Sequence, residues 1–288
     1  MKFLYVYSRG ALKDVTIPIV GAYVEALRRL GEVDLCFATR PDLLEGTADV
    51  AFLHYPAGIA FPGSKLRIRD LYARLLTLAG RVYVYTGNLE HTVVPEASTY
   101  GNSRKADLYI YPRMRELLSY EPPVQPIGIY VGHRRAARLS QICALGRAGL
   151  LGYVCGESWW KSAFELKAAG IRLLPPVHSD HVVETYRDFA GGIHVTEKAY
   201  DEHEIVCARI WEIVAACRPL LMSDGNPVHQ KLWPQMEAWA VLKNLNMSVE
   251  AGGYDHERAS NLTRKVVVDS GLFMTIDEME EAIACATS

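Results

Sequence analysis

The sequence lacks the short motifs that identify several large classes of enzyme. It contains no G-x-x-x-x-G-K-[ST] loop and no G-x-G-x-x-G turn, which argues against a P-loop NTPase and a standard dinucleotide dehydrogenase. A G-x-S-x-G elbow is also absent, so an α/β-hydrolase is not expected. No apolar stretch approaches the length of a membrane span, and the run Met1–Tyr7 is too short for a signal peptide. These absences favour a cytoplasmic protein without a membrane span.

Cysteine is sparse and scattered. The six cysteines form no C-x-x-C pair and have no histidine at metal-ligand spacing: Cys36, Cys143, Cys155, Cys207, Cys217 and Cys285. Since they lie mostly in apolar segments, we expect reduced core thiols. The polar clusters His178–His181 and Asp201–Glu204 also lack the ligand spacing of a closed metal site, so no bound metal is expected.

Charge is balanced overall but unevenly distributed. The 288 residues are 50% hydrophobic and carry a net charge of -2, which is an ordinary globular composition. Residues 1–147 contain 19 Lys and Arg against 13 Asp and Glu, whereas residues 148–288 contain 12 against 20. A basic half can attract nucleic acid or a membrane surface, although such a difference is also common between unrelated domains.

Short β-branched and aromatic runs alternate with amphipathic stretches of helix length, which is typical of parallel α/β units. The predicted strands are 2–7, 33–38, 49–54, 81–86, 107–111, 127–131, 150–155, 171–174, 191–195 and 219–222. The predicted helices are 17–30, 64–78, 113–120, 135–147, 158–169, 179–186, 204–216 and 276–286. Three prolines in Glu121–Pro126 interrupt the alternation. We therefore predict two Rossmann-like, doubly wound domains, 1–122 and 123–288, facing each other across a ligand-binding cleft, with a last helix that could pack back on the first domain.

The first segment that points to a ligand follows the predicted strand 127–131. Gly132 ends this strand, and Arg134, Arg135 and Arg138 occupy the turn and the start of the next helix. Free backbone N–H groups at a helix start favour an anion, and guanidinium groups match phosphate oxygens. A diphosphate is the natural ligand, although a solvated basic helix face would have the same sequence.

A second segment places Arg209 and Glu212 on a predicted helix, followed by Pro219, three apolar residues and Asp224. This order resembles the donor-site signature of the group 1 GT-B glycosyltransferases. Further matches to that family are Gly132 and His133 in the first turn of the second domain, Gly156 after its second strand, and Glu204, which gives the E-x7-E spacing with Glu212. The matches cover most of residues 127–224, and the chain is similar to short bacterial and phage members.

The resemblance implies a GT-B fold and transfer of a hexose from a nucleotide diphosphate sugar, with UDP-glucose or a similar UDP-sugar favoured and no other cofactor. Within it, Glu212 would bind the ribose hydroxyls and Glu204 or its loop would contact the donor sugar. The implied donor-binding set is Gly132, His133, Arg135, Gly156, Arg209, Glu212 and Asp224. Cys217–Arg218 replaces a usual glycine, which departs from the pattern.

The family's chemistry implies which residues stabilise charge. Group 1 members mostly retain the anomeric configuration, so no enzymic nucleophile is needed. Catalysis would then rest on stabilisation of the departing phosphate by Arg134, Arg135 or Arg138 and by helix N-terminal amides, with Arg134 and Arg138 as the catalytic candidates. Arg138 is the best match to a usual lysine. Arg138→Ala is then expected to lower turnover while the fold survives.

The first domain matches the family poorly, so its candidates come from position after predicted strands: His54, Asp70, Thr86, Asn88, Glu90 and His91. Asp70 and His91 are the candidate catalytic residues, either of which could act as a general base. Nucleic acid stays open as the acceptor, because short phage GT-B enzymes glucosylate hydroxymethylated bases in DNA. In that case the enzyme would act in the host cytoplasm. A glycan, a lipid or a small molecule is the alternative acceptor.

Two other functions are compatible with the same predicted fold and residues. A sugar-nucleotide epimerase has the same two-domain fold and would release a free sugar or an epimer without an acceptor. A non-catalytic module would bind a nucleotide sugar or nucleic acid and never turn over.

Overall fold

A computed structural model describes residues 1–7, 17–37, 42, 44–54, 64–87, 89–223, 227–232, 241–242 and 256–288. The chain forms two compact units. The first contains Met1–Met114, His203–Val206 and Phe273–Ser288, and the second contains Arg115–Glu202 and Cys207–Leu272. Among the described residues, no helix combines the length and the apolar character that crossing a membrane requires.

Each unit contains a parallel sheet, as the alternating pattern predicted. The strands of the first unit are β1 Lys2–Tyr7, β2 Glu32–Phe37, β3 Ala48–His54, β4 Ala79–Tyr85, β5 Ser98–Gly101 and β6 Leu108–Tyr109. Those of the second are β7 Gln125–Val131, β8 Leu151–Cys155, β9 Arg172–Leu174, β10 Phe189–His194, β11 Leu220–Ser223 and β12 Val241–Leu242. The helices are α1 Ile17–Leu30, α2 Ser64–Leu75, α3 Ala136–Arg147, α4 Ala163–Ala168, α5 Val182–Arg187, α6 Lys198–Glu202, α7 Ala208–Ala215, α8 Pro227–Leu232, α9 His256–Asp269 and α10 Ile276–Thr287.

Strand order identifies where each sheet can hold a ligand. The first sheet runs β2-β1-β3-β4-β5-β6 and the second runs β12-β11-β10-β7-β8-β9, with parallel pairing in both. In open parallel sheets, ligands bind beyond the carboxyl ends of the strands where the order reverses. That point lies between β1 and β3 in the first sheet and between β7 and β10 in the second.

The core of the first unit lies on both faces of its sheet, because successive strand side chains point to opposite sides. Leu4 and Val6 of β1 join the apolar cluster that contains Ile68 of α2. Phe3 and Tyr5 alternate with them, and Tyr5 is stacked near Phe52 at a ring distance of 6.4 Å. Each such fully buried apolar side chain stabilises the fold by about 1.5–3 kcal/mol relative to an exposed one.

The last helix, α10, is part of the first unit. Its start is fixed by a capping box, in which Thr275 Oγ1 accepts from the Glu278 N–H at 3.2 Å and the Glu278 carboxylate accepts from the Thr275 N–H at 2.6 Å. Arg29 of α1 forms an ion pair with Asp277 at 2.5 Å. These contacts return the end of the chain to α1.

The predicted helix 113–120 is wrong. No helix forms there, because backbone groups of this segment bond to other parts of the chain. Leu118 N–H donates to the Ala215 carbonyl at 2.8 Å, and Trp211 Nε1 donates to the Arg115 carbonyl at 2.8 Å. Both contacts join residues after 114 to α7, so residues 115–122, which the sequence assigned to the first domain, group with the second unit.

Candidate functional site

The carboxyl end of β7 leads into a glycine against which an arginine packs. A Cβ atom at Gly132 would overlap the Arg209 guanidinium and lie 3.1 Å from the Tyr130 hydroxyl. Arg209 donates through Nε to the Val131 carbonyl at 2.5 Å, and its guanidinium lies 4.7 Å from the centre of the Tyr130 ring. A side chain at position 132 would therefore force the Arg209 guanidinium to move from its position at the end of β7.

A second glycine supports the same turn. A Cβ atom at Gly156, which follows β8, would collide with the Gly132 carbonyl. That carbonyl accepts a hydrogen bond from Trp159 Nε1 at 2.6 Å, and Trp159 is fully buried. The two sequence-matched glycines thus lie side by side at the carboxyl edge of the second sheet.

Glu212 lies three residues after Arg209 on α7, so both side chains share one side of the helix. Burial raises the pKa of the Glu212 carboxyl group, and the charges of Arg209 and Arg115 oppose this rise. Its side chain is partly exposed, and no described residue forms a hydrogen bond or an ion pair with it. A carboxylate with open acceptor positions beside an arginine can receive hydrogen bonds from ligand hydroxyl groups.

The three arginines after Gly132 differ in burial and in the side chains that they contact. Arg138 is only 6% exposed, and it lies 2.8 Å from the Glu197 carboxylate and 3.0 Å from the Tyr130 hydroxyl. Arg135 is exposed and lies 3.3 Å from the same carboxylate. Arg134 donates through Nε to Ser162 Oγ at 2.7 Å. Arg138 is thus a buried structural cation, whereas Arg134 and Arg135 can reach a ligand.

Glu197, which the sequence did not single out, follows β10 in a loop held by a short hydrogen bond from Thr196 Oγ1 to Asp201 at 2.5 Å. It is the only acidic side chain that forms an ion pair with any of Arg134, Arg135, Arg138 and Arg209 among the described residues. Arg134 and Arg209 form no ion pair within the described part of the chain, so their charges are available to an anion. Positive clefts at strand ends attract anions such as diphosphates.

A buried histidine lies beside Arg209. His194 ends β10, is 1% exposed and has its Nδ1 3.4 Å from the Arg209 guanidinium. Burial holds the pKa of His194 well below its usual range, and the neighbouring His229, Arg209 and Arg138 act in the same direction. His194 therefore stays neutral and adds no charge that would compete with a bound anion.

His133 and Asp224 complete the predicted donor set. His133 is exposed and lies 3.4 Å from the Glu157 carboxylate, at the rim of the turn. Asp224 lies outside the described residues.

Glu204 lies outside α7, the helix that carries Arg209 and Glu212. The expectation that it begins the helix of Glu212 is wrong, because α7 begins at Ala208 and Glu204 has a left-handed backbone with φ of 50°. The Val206 N–H donates to the Asn102 carbonyl at 2.8 Å, and Ile205 and Val206 are buried. This extended segment draws Glu204 into the first unit, where its carboxylate lies 3.8 Å from Lys105.

In the first unit, His91 contacts a histidine that the sequence pattern did not identify. His91 Nε2 lies 3.1 Å from His203 Nδ1. Burial, with a smaller effect of His203, lowers the pKa of His91 to about 4. Leu89, two residues before His91, has a left-handed backbone with φ of 67°, as does Glu204 beside His203. Such strained residues cluster at functional sites, so His91 and His203 are candidates for a chemical role.

The other first-unit candidates differ in exposure and surroundings. Asp70 is exposed on α2. His54 is fully buried with its Nδ1 2.7 Å from the Tyr5 hydroxyl, and burial lowers its pKa to about 3, so it is a neutral core histidine. Thr86 and Glu90 are also buried, and Asn88 lies outside the described residues. Within the described part of the chain, no three His, Cys, Asp or Glu side chains converge on a metal position.

Searches against protein families and against curated proteins find no match. Solved structures do match. The chain is similar to T4 phage β-glucosyltransferase in complex with UDP and Mn²⁺, with a TM-score of 0.70, 13% identity and 100% coverage of both chains. Another structure of β-glucosyltransferase, described as a DNA modifying enzyme, aligns with a TM-score of 0.66 and 13% identity over 100% of both chains. HepE of Anabaena in complex with UDP and glucose aligns with a TM-score of 0.59 and 10% identity over 99% of both chains. The chain therefore has the GT-B fold of these glycosyltransferases.

Proposed function

We propose that this chain is a glycosyltransferase that moves glucose or a related hexose from a UDP-sugar to an acceptor hydroxyl. The proposal rests on the position of Arg209, which packs against Gly132 at the ends of β7 and β10. The Glu212 carboxylate, which has no hydrogen-bond partner among the described residues, lies three residues after Arg209 on the same helix. Structural neighbours with bound UDP-glucose, or with UDP and glucose, support this choice of donor. No cofactor besides the nucleotide sugar is proposed.

The donor roles follow from the surroundings of each side chain. Glu212 accepts hydrogen bonds from the ribose hydroxyls, and Arg134 and Arg135 approach the diphosphate from the rim. Arg209 lies behind them and supplies fixed positive charge. In the reaction the bond between the anomeric carbon and the diphosphate breaks, and the diphosphate leaves with the electron pair. Charge placed in advance at this position stabilises the leaving group in the transition state.

The acceptor hydroxyl must lose a proton, and we assign it to His203. With Nδ1–H of His203 donating to Nε2 of His91, the Nε2 atom of His203 is left as a proton acceptor. His91 then acts as a positioning residue that fixes this tautomer and stays neutral because its pKa is low. A separate base is what inversion requires, so we propose inversion of the anomeric centre in place of the retention that the sequence resemblance implied.

For the acceptor we propose a hydroxymethylated base in DNA, in the cytoplasm of the cell or of a phage host. The support is the DNA-modifying neighbour and the excess of basic residues in the first half of the sequence. A glycan or a small molecule is the alternative. The two differ in salt dependence, because a protein that neutralises several phosphates loses affinity steeply as salt rises.

Removing the Glu212 carboxylate should abolish most donor binding. Wild type is expected to be stabilised by about 2.7 kcal/mol with UDP-glucose present at 100 times its dissociation constant. Glu212→Gln keeps the shape of the side chain and should lose most of this stabilisation at the same ligand concentration, as measured by thermal unfolding with UDP-, GDP-, ADP- and TDP-sugars. Glu184→Gln, on α5 of the same unit, is the matched control. A Glu212→Gln protein with unchanged stabilisation would remove Glu212 from the site.

His203→Gln should lower kcat on hydroxymethylated DNA by about 10²–10⁴-fold, the usual contribution of a general base. The KM for UDP-glucose and the thermal stabilisation by it should not change. His91→Gln should give a smaller loss, since the base would remain but lose its orientation. The exposed His181→Gln protein serves as the control, and NMR of the product should give the β-anomer from an α-linked donor. An α-linked product made at full rate by His203→Gln would refute both the base and inversion.

A further inference from the structure

Two aromatic rings project from the surface of the second unit. Trp160 is 69% exposed and Phe164 is 83% exposed, although large aromatic side chains are normally among the most buried groups. They lie four residues apart across the short helical turn Trp159–Ser162 and α4. Ser162 between them has a non-helical backbone, with φ of -123° and ψ of 24°, so the rings are separate groups on one short segment. Two aromatic side chains this exposed on one segment form a patch that indicates a binding surface.

The patch is fixed to the turn that carries the candidate site. Trp159, next to Trp160, donates to the Gly132 carbonyl at 2.6 Å and is fully buried. Ser162 Oγ, on the same helical turn, accepts from Arg134 Nε at 2.7 Å and is also buried. The exposed rings are therefore held in place beside the residues to which the proposed donor site is assigned.

The size of the patch argues against a subunit interface. Two partly exposed rings offer roughly 300 Å² of surface, whereas a stable protein interface buries about 800 Å² on each partner. Two exposed rings are instead suited to contact with flat aromatic ligands, since an aromatic side chain and an aromatic ligand attract each other in offset-stacked or edge-to-face geometry.

The charges around the rings fit a phosphate-bearing partner. The Lys161 ammonium lies 5.6 Å from the centre of the Trp160 ring, and Arg134 contacts the same helical turn. Of the acidic side chains close in sequence, Glu157 lies 3.4 Å from His133, and α4 carries one acidic and one basic residue, Glu165 and Lys167. Aromatic rings interleaved with cations are the composition of surfaces that stack nucleic-acid bases.

We propose that Trp160 and Phe164 form a stacking surface for the bases of the DNA acceptor. An enzyme that modifies a base must take it out of the duplex, which leaves neighbouring bases with an unstacked face. The two rings supply a partner for such faces while Lys161 approaches the backbone. This stacking surface presupposes the proposed DNA acceptor and is the part of the protein that binds the bases of that DNA.

The test uses a fluorescent duplex that contains 5-hydroxymethylcytosine next to 2-aminopurine, whose emission rises when it unstacks. Trp160→Ala and Phe164→Ala should each weaken binding about tenfold and raise the 2-aminopurine emission at saturation, because the probe loses a ring that stacks on it. The slope of affinity against salt should not change, because no phosphate contact is lost, whereas Lys161→Gln should lower that slope by about one. Trp160→Phe keeps a ring and should bind within threefold of wild type.

Leu66→Ala removes a side chain that is 66% exposed on α2 and is the matched apolar control. Thermal stabilisation by UDP-glucose is measured for every variant and reports whether its second unit is folded. If UDP-glucose does not stabilise the wild type, the proposed donor is refuted instead. The inference is overturned if Trp160→Ala and Phe164→Ala bind the duplex like wild type. It is also overturned if wild type binds UDP-glucose but no DNA, or if sedimentation reveals a dimer that these substitutions dissociate.

Discussion

Arg138→Ala should lower the free energy of unfolding by about 3 kcal/mol, in addition to any effect on turnover. Arg138 is 6% exposed and paired with Glu197 at 2.8 Å, and removal of one partner from a buried ion pair typically costs about 3–5 kcal/mol. We place the loss at the lower end because Arg135 still lies 3.3 Å from Glu197. Urea unfolding of both proteins measures the difference. The sequence alone led to the expectation that the fold would survive this change unharmed.

Arg135→Ala is the control for this experiment. Its ion pair with Glu197 is nearly half exposed, and exposed pairs contribute at most about 1 kcal/mol. We therefore expect nearly normal unfolding together with weaker UDP-glucose binding. If Arg138→Ala unfolds like wild type but loses activity, the cation acts on the ligand directly and the structural assignment is refuted.

Gly132→Ala should nearly abolish donor binding, by about 100-fold or more in affinity. The added methyl group would occupy the position of the Arg209 guanidinium, so Arg209 would have to leave the Val131 carbonyl. The hydrogen bond from the charged Arg209 side chain to the Val131 carbonyl contributes about 1.5–3 kcal/mol, and without it Arg209 has no fixed position from which to stabilise the diphosphate. Titration calorimetry with UDP and UDP-glucose measures it.

Gly21→Ala provides the comparison, since a Cβ atom at Gly21 would meet nothing within 4 Å and alanine favours the helix α1. That protein should bind donor like wild type and be slightly more stable. Normal donor affinity in Gly132→Ala would mean that Arg209 contributes nothing to the site, and the donor assignment would have to move elsewhere.

The sheets and the donor turn could be predicted from the sequence because both depend on local patterns. Runs such as Lys2–Tyr7 match strands, and Gly132, Arg209 and Glu212 occur at the spacing of a known signature. The helix predicted at 113–120 does not form because backbone groups of this segment form hydrogen bonds with residues of α7 instead. The same competition explains Glu204, whose neighbours Ile205 and Val206 fit a helix face in sequence but pack as an extended segment.

Contacts between distant residues could not be predicted. Glu197 reaches Arg135 and Arg138 only because β7 and β10 are neighbours in the second sheet, although many residues separate them in sequence. His203 meets His91 for a similar reason, and in the sequence His203 stood out only as a member of the polar cluster Asp201–Glu204, which lacks the ligand spacing of a metal site. The exposure of Trp160 beside the buried Trp159 depends on one helical turn, and the sequence gives both tryptophans the same surroundings.

The return of α10 to the first unit affects the order in which the protein can be completed during synthesis. When the ribosome has released residues 1–114, the strands of the first sheet are present, but Tyr111 lacks Phe273, whose ring centre lies 5.3 Å away in the finished protein. Nearly all of the second unit emerges before that partner and before the buried Met279 and Ile283. The half of the protein that is made first is therefore the half that finishes folding last.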